Sequence, residues 1–214
     1  MDKHSQKNGI IEGTIWKQLL IFFFPILVGT FFQQLYNTVD AVIVGQFAGK
    51  EALSSVGGSS SQIINFVVGF FTGLSAGATV IISQFYGAND ANKIHRALHT
   101  AYAFSIVGGI IAGIIGIALT VPVMKLMNTP EELMHDSAMY VMIYFGGLVF
   151  IFVYNMGSAI LRAIGDSKRP LYYLIICCFI NIVLDIVFVS VLKLGVLGVA
   201  VATFISQLVS AVLV

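Results

Sequence analysis

"FFFPILVGTFFQQLYNTVDAVIVG", residues 22–45, is apolar at most positions yet carries Pro25 and Asp40. A soluble core helix has no need of so long an apolar run, whereas a bilayer requires about 20 such residues per crossing. The stretch therefore reads as a membrane span with a helix-weakening proline and a charged group inside it. Both are expensive in lipid, so each asks for a reason.

The rest of the chain follows the same pattern. Of its 214 residues, 58% are hydrophobic and 10% charged. Soluble domains run near 25% charged, so this surface suits lipid and not water. Apolar blocks at 16–47, 52–86, 97–124, 134–161, 171–192 and 196–214 are divided by short polar connections: "AGKEA", "YGANDANKIHRA", "KLMNTPEEL", "GDSKRP" and "KLG". None alternates with period two, which excludes barrel strands and leaves six antiparallel transmembrane helices. The last block runs to Val214 without a polar tail, as expected of a lobe whose second half is absent from these residues.

Lysine and arginine set the orientation. Lys3, Lys7, Lys17, Lys93, Arg96, Arg162, Lys168 and Arg169 fall on one side; Lys50, Lys125 and Lys193 fall on the other. The amino terminus is expected in the cytoplasm of a multi-pass plasma-membrane protein, with Trp16, Tyr86, Tyr172 and Tyr173 at that interface. The net charge of +1 and the lack of any basic run exclude a nucleic-acid partner. Gly69, Gly73 and Gly77, and likewise Gly109 and Gly113, recur every fourth residue and predict close helix packing.

Eight of the ten acidic residues lie in termini, connections or block ends; Asp40 and Asp185 lie within spans. Counted along ideal helices from the opposite-side residues Lys50 and Lys193, the two acids are ~15 Å and ~12 Å deep. By the same rise Thr203 is about 12–15 Å deep, and Tyr140, counted from Glu132, is ~12 Å deep. Asn181 shares a helix face with Asp185, and Gln33 and Asn37 share one with Asp40. Both polar stripes are expected to point inward, away from lipid. Two acids in one dry pocket cannot both ionise cheaply, so the pair should hold a proton or a cation, as ion-coupled transport requires. Pro25, fifteen residues before Asp40, would let the first helix bend when that charge changes.

These residues carry a family likeness. The proline-to-aspartate first helix, "DAVIVGQFAGKEALSSVG" (40–57), "ISQFYGA" (82–88), "GSAILRAIGDSKRP" (157–170), "NIVLD" (181–185) and "GVLGVAVATFISQ" (195–207) resemble the amino-terminal half of the MATE (multidrug and toxic compound extrusion) transporters. The resemblance implies one six-helix lobe of an all-α, two-lobed transporter of about twelve helices. It further implies alternating access and export of cationic or amphipathic drug-like compounds against protons or sodium, with no other cofactor. In members with an amino-lobe cation site, the positions matching Asp40, Asn181, Asp185 and Thr203 hold the proton or Na⁺, with Tyr140 nearby. Pro25 matches a proline that bends the first helix in some members. Gln33, Gln34 and Asn37 are candidates to line the cavity, and a second six-helix lobe, from the same gene or a second copy, is the expected partner.

Three alternatives share parts of this pattern. Flippases of lipid-linked saccharides or precursors place several basic residues in the cavity, and here no lysine or arginine lies deep in a span. Intramembrane aspartyl proteases need GxGD inside a helix; here Ala163 stands where the motif has glycine, and Asp166 lies in a basic connection, so no enzyme is expected. A non-transporting assembly subunit is the third. The adjacent Cys177 and Cys178 match neither a disulfide framework nor a metal-ligand spacing. His4 and His135 are isolated, and His95 and His99, four apart, lack a third ligand, so no metal site is expected there.

Overall fold

The structure is a computed structural model that describes residues 15–214. Lys3, Lys7 and His4 lie outside the described residues. α1 (Ile15–Ile43) runs through Pro25 without interruption and widens into a π-helical turn at Val44–Ala48. Then follow α2 (Gly49–Gly57), α3 (Ser59–Gly87), α4 (Ala91–Leu126), α5 (Glu131–Gly146), α6 (Leu148–Ala163) and α7 (Lys168–Asp185). A second π-helical segment, Ile186–Val191, leads to α8 (Gly195–Leu213). Among the described residues five helical stretches are long and apolar enough to cross a bilayer, and α5 with α6 makes a sixth. The protein is an all-helical, multi-pass membrane lobe.

Connections alternate between two ends. At one end Gln18, Ile21 and Phe22 of α1 and the α6–α7 turn (164–168) enclose a recess of about 240 Å³. At the other, the Thr129 hydroxyl donates to Ser59 Oγ at 2.9 Å, joining the α4–α5 connection to the start of α3. That contact closes one side of a 370 Å³ pocket floored by Leu53, Ser54 and Pro130. The left-handed turn positions are taken by Asn89, Asn128, Gly165, Lys193 and Gly195. Asparagine and glycine tolerate that conformation readily.

The core lies where α5, α6 and α8 meet, around Val141, Phe145, Leu148, Phe152, Val199 and Ala200. α1, α3 and α4 are peripheral and leave large apolar residues on the outside, such as Phe66 and Leu126. A membrane lobe tolerates this because lipid is as apolar as the side chains it meets.

Three expectations need correction. The break expected at 48–52 becomes a turn at Gly49 (φ 94°, ψ 178°), a short helix, and a second break at Gly58. Ala52 and Ser55 are buried, so packing holds α2 helical, and at Gly58 a Cβ would come within 2.7 Å of the Ser54 carbonyl oxygen. The fourth block is not one straight helix: α5 and α6 meet at 49°. Phe204 and Gln207 of α8 occupy the space where a side chain at Gly147 would go. Finally, Gly69, Gly73 and Gly77 pack against nothing within the lobe, with no described atom within 4 Å of a Cβ built on any of them. Gly109 and Gly113 do pack as expected: a Cβ there would meet Val149 Cα and the Phe145 carbonyl oxygen at 2.7 Å each.

Candidate cation site

α1 is covered along one narrow strip. Pro25, Gly29, Asp40 and Val44 are buried, and Tyr36 is half-buried, at steps that a helix places on one side. A Cβ on Gly29 would touch Leu171 and Leu174 at 3.7 Å, so α7 lies close along the first half of this strip. On α7 the buried positions are Pro170, Cys177, Cys178, Asn181 and Asp185, again one stripe. α8 completes the enclosure with Val196, Val199, Ala200, Thr203 and Ser206.

These three stripes converge. Asp40 is 9% exposed, Asn181 and Asp185 are fully buried, and Thr203 is 5% exposed. The Asp40 and Asp185 side chains lie close enough to interact directly. Neither is in an ion pair; among the described residues the ion pairs are Lys93–Asp90 and Arg169–Asp166, both in turns. No N–H or O–H donor reaches Asp40 Oδ1 or either oxygen of Asp185. Two carboxyls can hydrogen-bond to each other only when at least one carries a proton; two carboxylates side by side need a cation between them. Both side-chain atoms of Asn181 and the Thr203 hydroxyl are likewise buried without a hydrogen-bond partner.

That is an unusual concentration of unfilled polar capacity. Each orphaned buried group costs on the order of 1–3 kcal/mol. Two carboxyls, an amide oxygen and a hydroxyl make an all-oxygen donor set of the kind that hard cations take. The same groups suit a shared proton. Each acid also sits close to a π-helical turn: Val44–Ala48 begins four residues after Asp40, and Ile186–Val191 begins at the residue after Asp185. Such turns loosen the regular backbone ladder and recur at functional sites.

The structure brings Tyr140 to the pair as well; it is buried and close to both acids. It also adds Tyr36, which the sequence reading passed over. The Tyr36 ring lies among Asp40, Asp185 and Tyr140, with its hydroxyl beside Thr203. The signal was present, since Tyr36 precedes Asp40 by one helical turn.

Gln33, Gln34 and Asn37 are not part of this pocket. All three are exposed on the open side of α1, where the Asn37 amide donates to Gln34 Oε1 at 3.3 Å. Within the described residues only Asp40 of the Gln33–Asn37–Asp40 stripe is buried, and Gln33 and Asn37 are exposed. Only Asp40 is enclosed, because the chain covers α1 on the Gly29–Tyr36 side and leaves its other polar face bare. Asp166, the acid of the "AIGD" segment, lies in the α6–α7 turn paired with Arg169 at 3.0 Å, outside any span.

Comparison with known proteins gives the family of the chain. The MatE family model matches residues 25–187. A probable multidrug resistance protein of Bacillus subtilis, YoeA, is 32% identical over 92% of this chain, which covers 43% of that protein. A solved outward-facing multidrug resistance MATE family transporter of the MOP superfamily superposes on 99% of the chain with a TM-score of 0.88 at 26% identity. The chain covers 46% of that transporter. An inward-facing structure of such a transporter superposes on 85%, with a TM-score of 0.77 at 27% identity, the chain covering 41% of it. The chain thus spans about half the length of the relatives it matches, and it belongs to the MATE family.

Proposed function

We propose that this chain is the amino-terminal lobe of a secondary multidrug exporter, and that the Asp40–Asp185 pair is where its coupling ion binds. One observation carries the reading: two buried, interacting carboxyls on separate helices, with no counter-ion among the described residues, beside an asparagine and a threonine whose side chains find no hydrogen-bond partner. In one state the pair holds a proton, or a sodium ion shared with Asn181 Oδ1 and Thr203 Oγ1; in the other it is released. A 100 mV potential contributes about 2.3 kcal/mol per charge moved.

Binding and release must change the packing of α1. That helix is held along a single strip, and Pro25 removes one backbone hydrogen bond from it. Loss of charge at Asp40 lets α1 close on α7 and α8; regained charge pushes it away. The exported compound would be cationic or amphipathic, since the buried charges are acidic and the exposed face of α1 offers Gln33, Gln34 and Asn37. A second six-helix lobe would supply the opposite cavity wall. The protein would sit in the plasma membrane with its amino terminus in the cytoplasm, the side richer in lysine and arginine.

The reading is tested by dye efflux from vesicles carrying the protein with both lobes, with pH and sodium gradients imposed separately. Efflux driven by one gradient and lost in Asp40→Asn supports it. Efflux undiminished by that substitution refutes it.

A further inference from the structure

His95 and His99 lie one turn apart near the start of α4, both exposed, away from the acid pair and outside the apolar core. Their Nε2 atoms are 3.1 Å apart, with ring centroids at 4.3 Å and planes inclined by 61°. We propose that this pair is a two-histidine site for a borderline divalent cation of the Zn²⁺, Ni²⁺ or Cu²⁺ class.

The geometry is the argument. Two imidazole nitrogens bound at about 2.1 Å to one ion are ~3.0–3.4 Å apart for bond angles between about 90° and 109°. The observed separation falls in that interval, so chelation needs only small ring rotations. The spacing is the one by which a helix presents two histidines to a single ion. In the free protein one ring donates its Nε2–H to the other. When a metal binds, that hydrogen leaves Nε2 for the donor ring's Nδ1, freeing both Nε2 lone pairs for the ion. No net proton is required.

The surroundings select the class of ion. Imidazole suits zinc, copper and nickel, whereas magnesium and calcium require oxygen ligands. The nearest carboxylate along the helix, Asp90, is engaged by the Lys93 ammonium at 2.9 Å and by the Lys93 backbone N–H. Water completes the coordination, which makes the site open and exchangeable, not structural. The missing third ligand therefore rules out a closed site but leaves this one standing. Because the two ligands bridge a helical turn, the bound ion would fasten the beginning of α4, next to the α3–α4 turn (88–90).

The test uses purified, untagged protein titrated with NiCl₂ and ZnCl₂ by calorimetry, and with Cu²⁺ by electron paramagnetic resonance. The expected result is one ion per chain, two equatorial nitrogens in the copper spectrum, and affinity weakened at least tenfold by His95→Ala or His99→Ala. The double variant should lose little more than either single one, because the two rings act as one chelate. A His4→Ala/His135→Ala variant should bind as the parent does. Helical content by circular dichroism is expected to be the same in all, since both rings are exposed. Undiminished binding in the His95→Ala/His99→Ala variant, or a copper spectrum with a single nitrogen, overturns the assignment. The outcome is independent of whether the protein exports drugs.

Discussion

The Asp40 and Asp185 carboxyls lie close together between α1 and α7, with no donor to either Asp185 oxygen. Two unit charges ~4 Å apart would repel by roughly 4 kcal/mol at an effective dielectric of 20. On the proposed reading the pair holds at least one proton, or two carboxylates hold a cation between them. Replacing either acid by asparagine removes the exchangeable charge while keeping the shape. Asp40→Asn and Asp185→Asn should each reduce gradient-driven dye efflux to background at unchanged membrane abundance. Measurement in vesicles, with expression checked by immunoblot, decides the point.

Tyr36 supplies a subtler probe. Its hydroxyl lies beside Thr203, at the edge of the acid pair. Tyr36→Phe deletes one polar atom from that wall and leaves the ring in place. A neutral hydrogen bond contributes about 0.5–1.5 kcal/mol. The apparent affinity for the driving ion should thus weaken by roughly 2- to 12-fold, with the maximal efflux rate preserved. An equal fall in both would show that the ring positions α1 instead.

The membrane spans and the acid pair were legible because each obeys a local rule. Lipid demands long apolar runs, and a rise of about 1.5 Å per residue turns sequence distance into depth. Asp40, Tyr140, Asn181, Asp185 and Thr203 could be put at one level by counting. What counting could not supply is which side of a helix another helix covers. Gln33 and Asn37 belong to the same stripe as Asp40, yet no described residue encloses them, while Tyr36, one turn before Asp40, lies on the covered side. The bend at Gly147 is set by Phe204 and Gln207, far along the chain, and a glycine pair in an apolar run gives no sign of them. The two glycine series look alike in sequence, and only the fold shows that one is packed and the other bare.

That contrast is testable by alanine. A Cβ at Gly113 would lie 2.7 Å from the Phe145 carbonyl oxygen, and one at Gly109 would be as close to Val149 Cα; both obstacles are backbone. Gly113→Ala and Gly109→Ala should each destabilise by about 1–3 kcal/mol, the range for overpacking. Gly73→Ala meets nothing within the lobe. It should be neutral or stabilising by up to about 1 kcal/mol, because alanine is the better helix former. Thermal unfolding of the purified protein in detergent measures all three. If Gly73→Ala proves as damaging as Gly113→Ala, the α3 stripe has a partner outside this lobe.

Asp90 begins α4 with two contacts: Oδ1 accepts the Lys93 backbone N–H at 3.1 Å, and Oδ2 pairs with the Lys93 ammonium at 2.9 Å. These contacts hold its carboxyl below the usual carboxylate range. A lowered folded value means that the stabilisation is complete above the unfolded value, about 3.9, and fades as pH falls through the folded one. Asp90→Ala should therefore speed amide hydrogen exchange in residues 91–95 across neutral and mildly acidic pH. The difference from the parent should narrow, without vanishing, only below about pH 4, once intrinsic exchange rates are corrected for. Asp90→Asn keeps a capping oxygen but loses the ion pair, so it should exchange nearly as slowly as the parent. If instead Asp90→Asn frays as much as Asp90→Ala, the lysine pair and not the cap holds the first turn of α4.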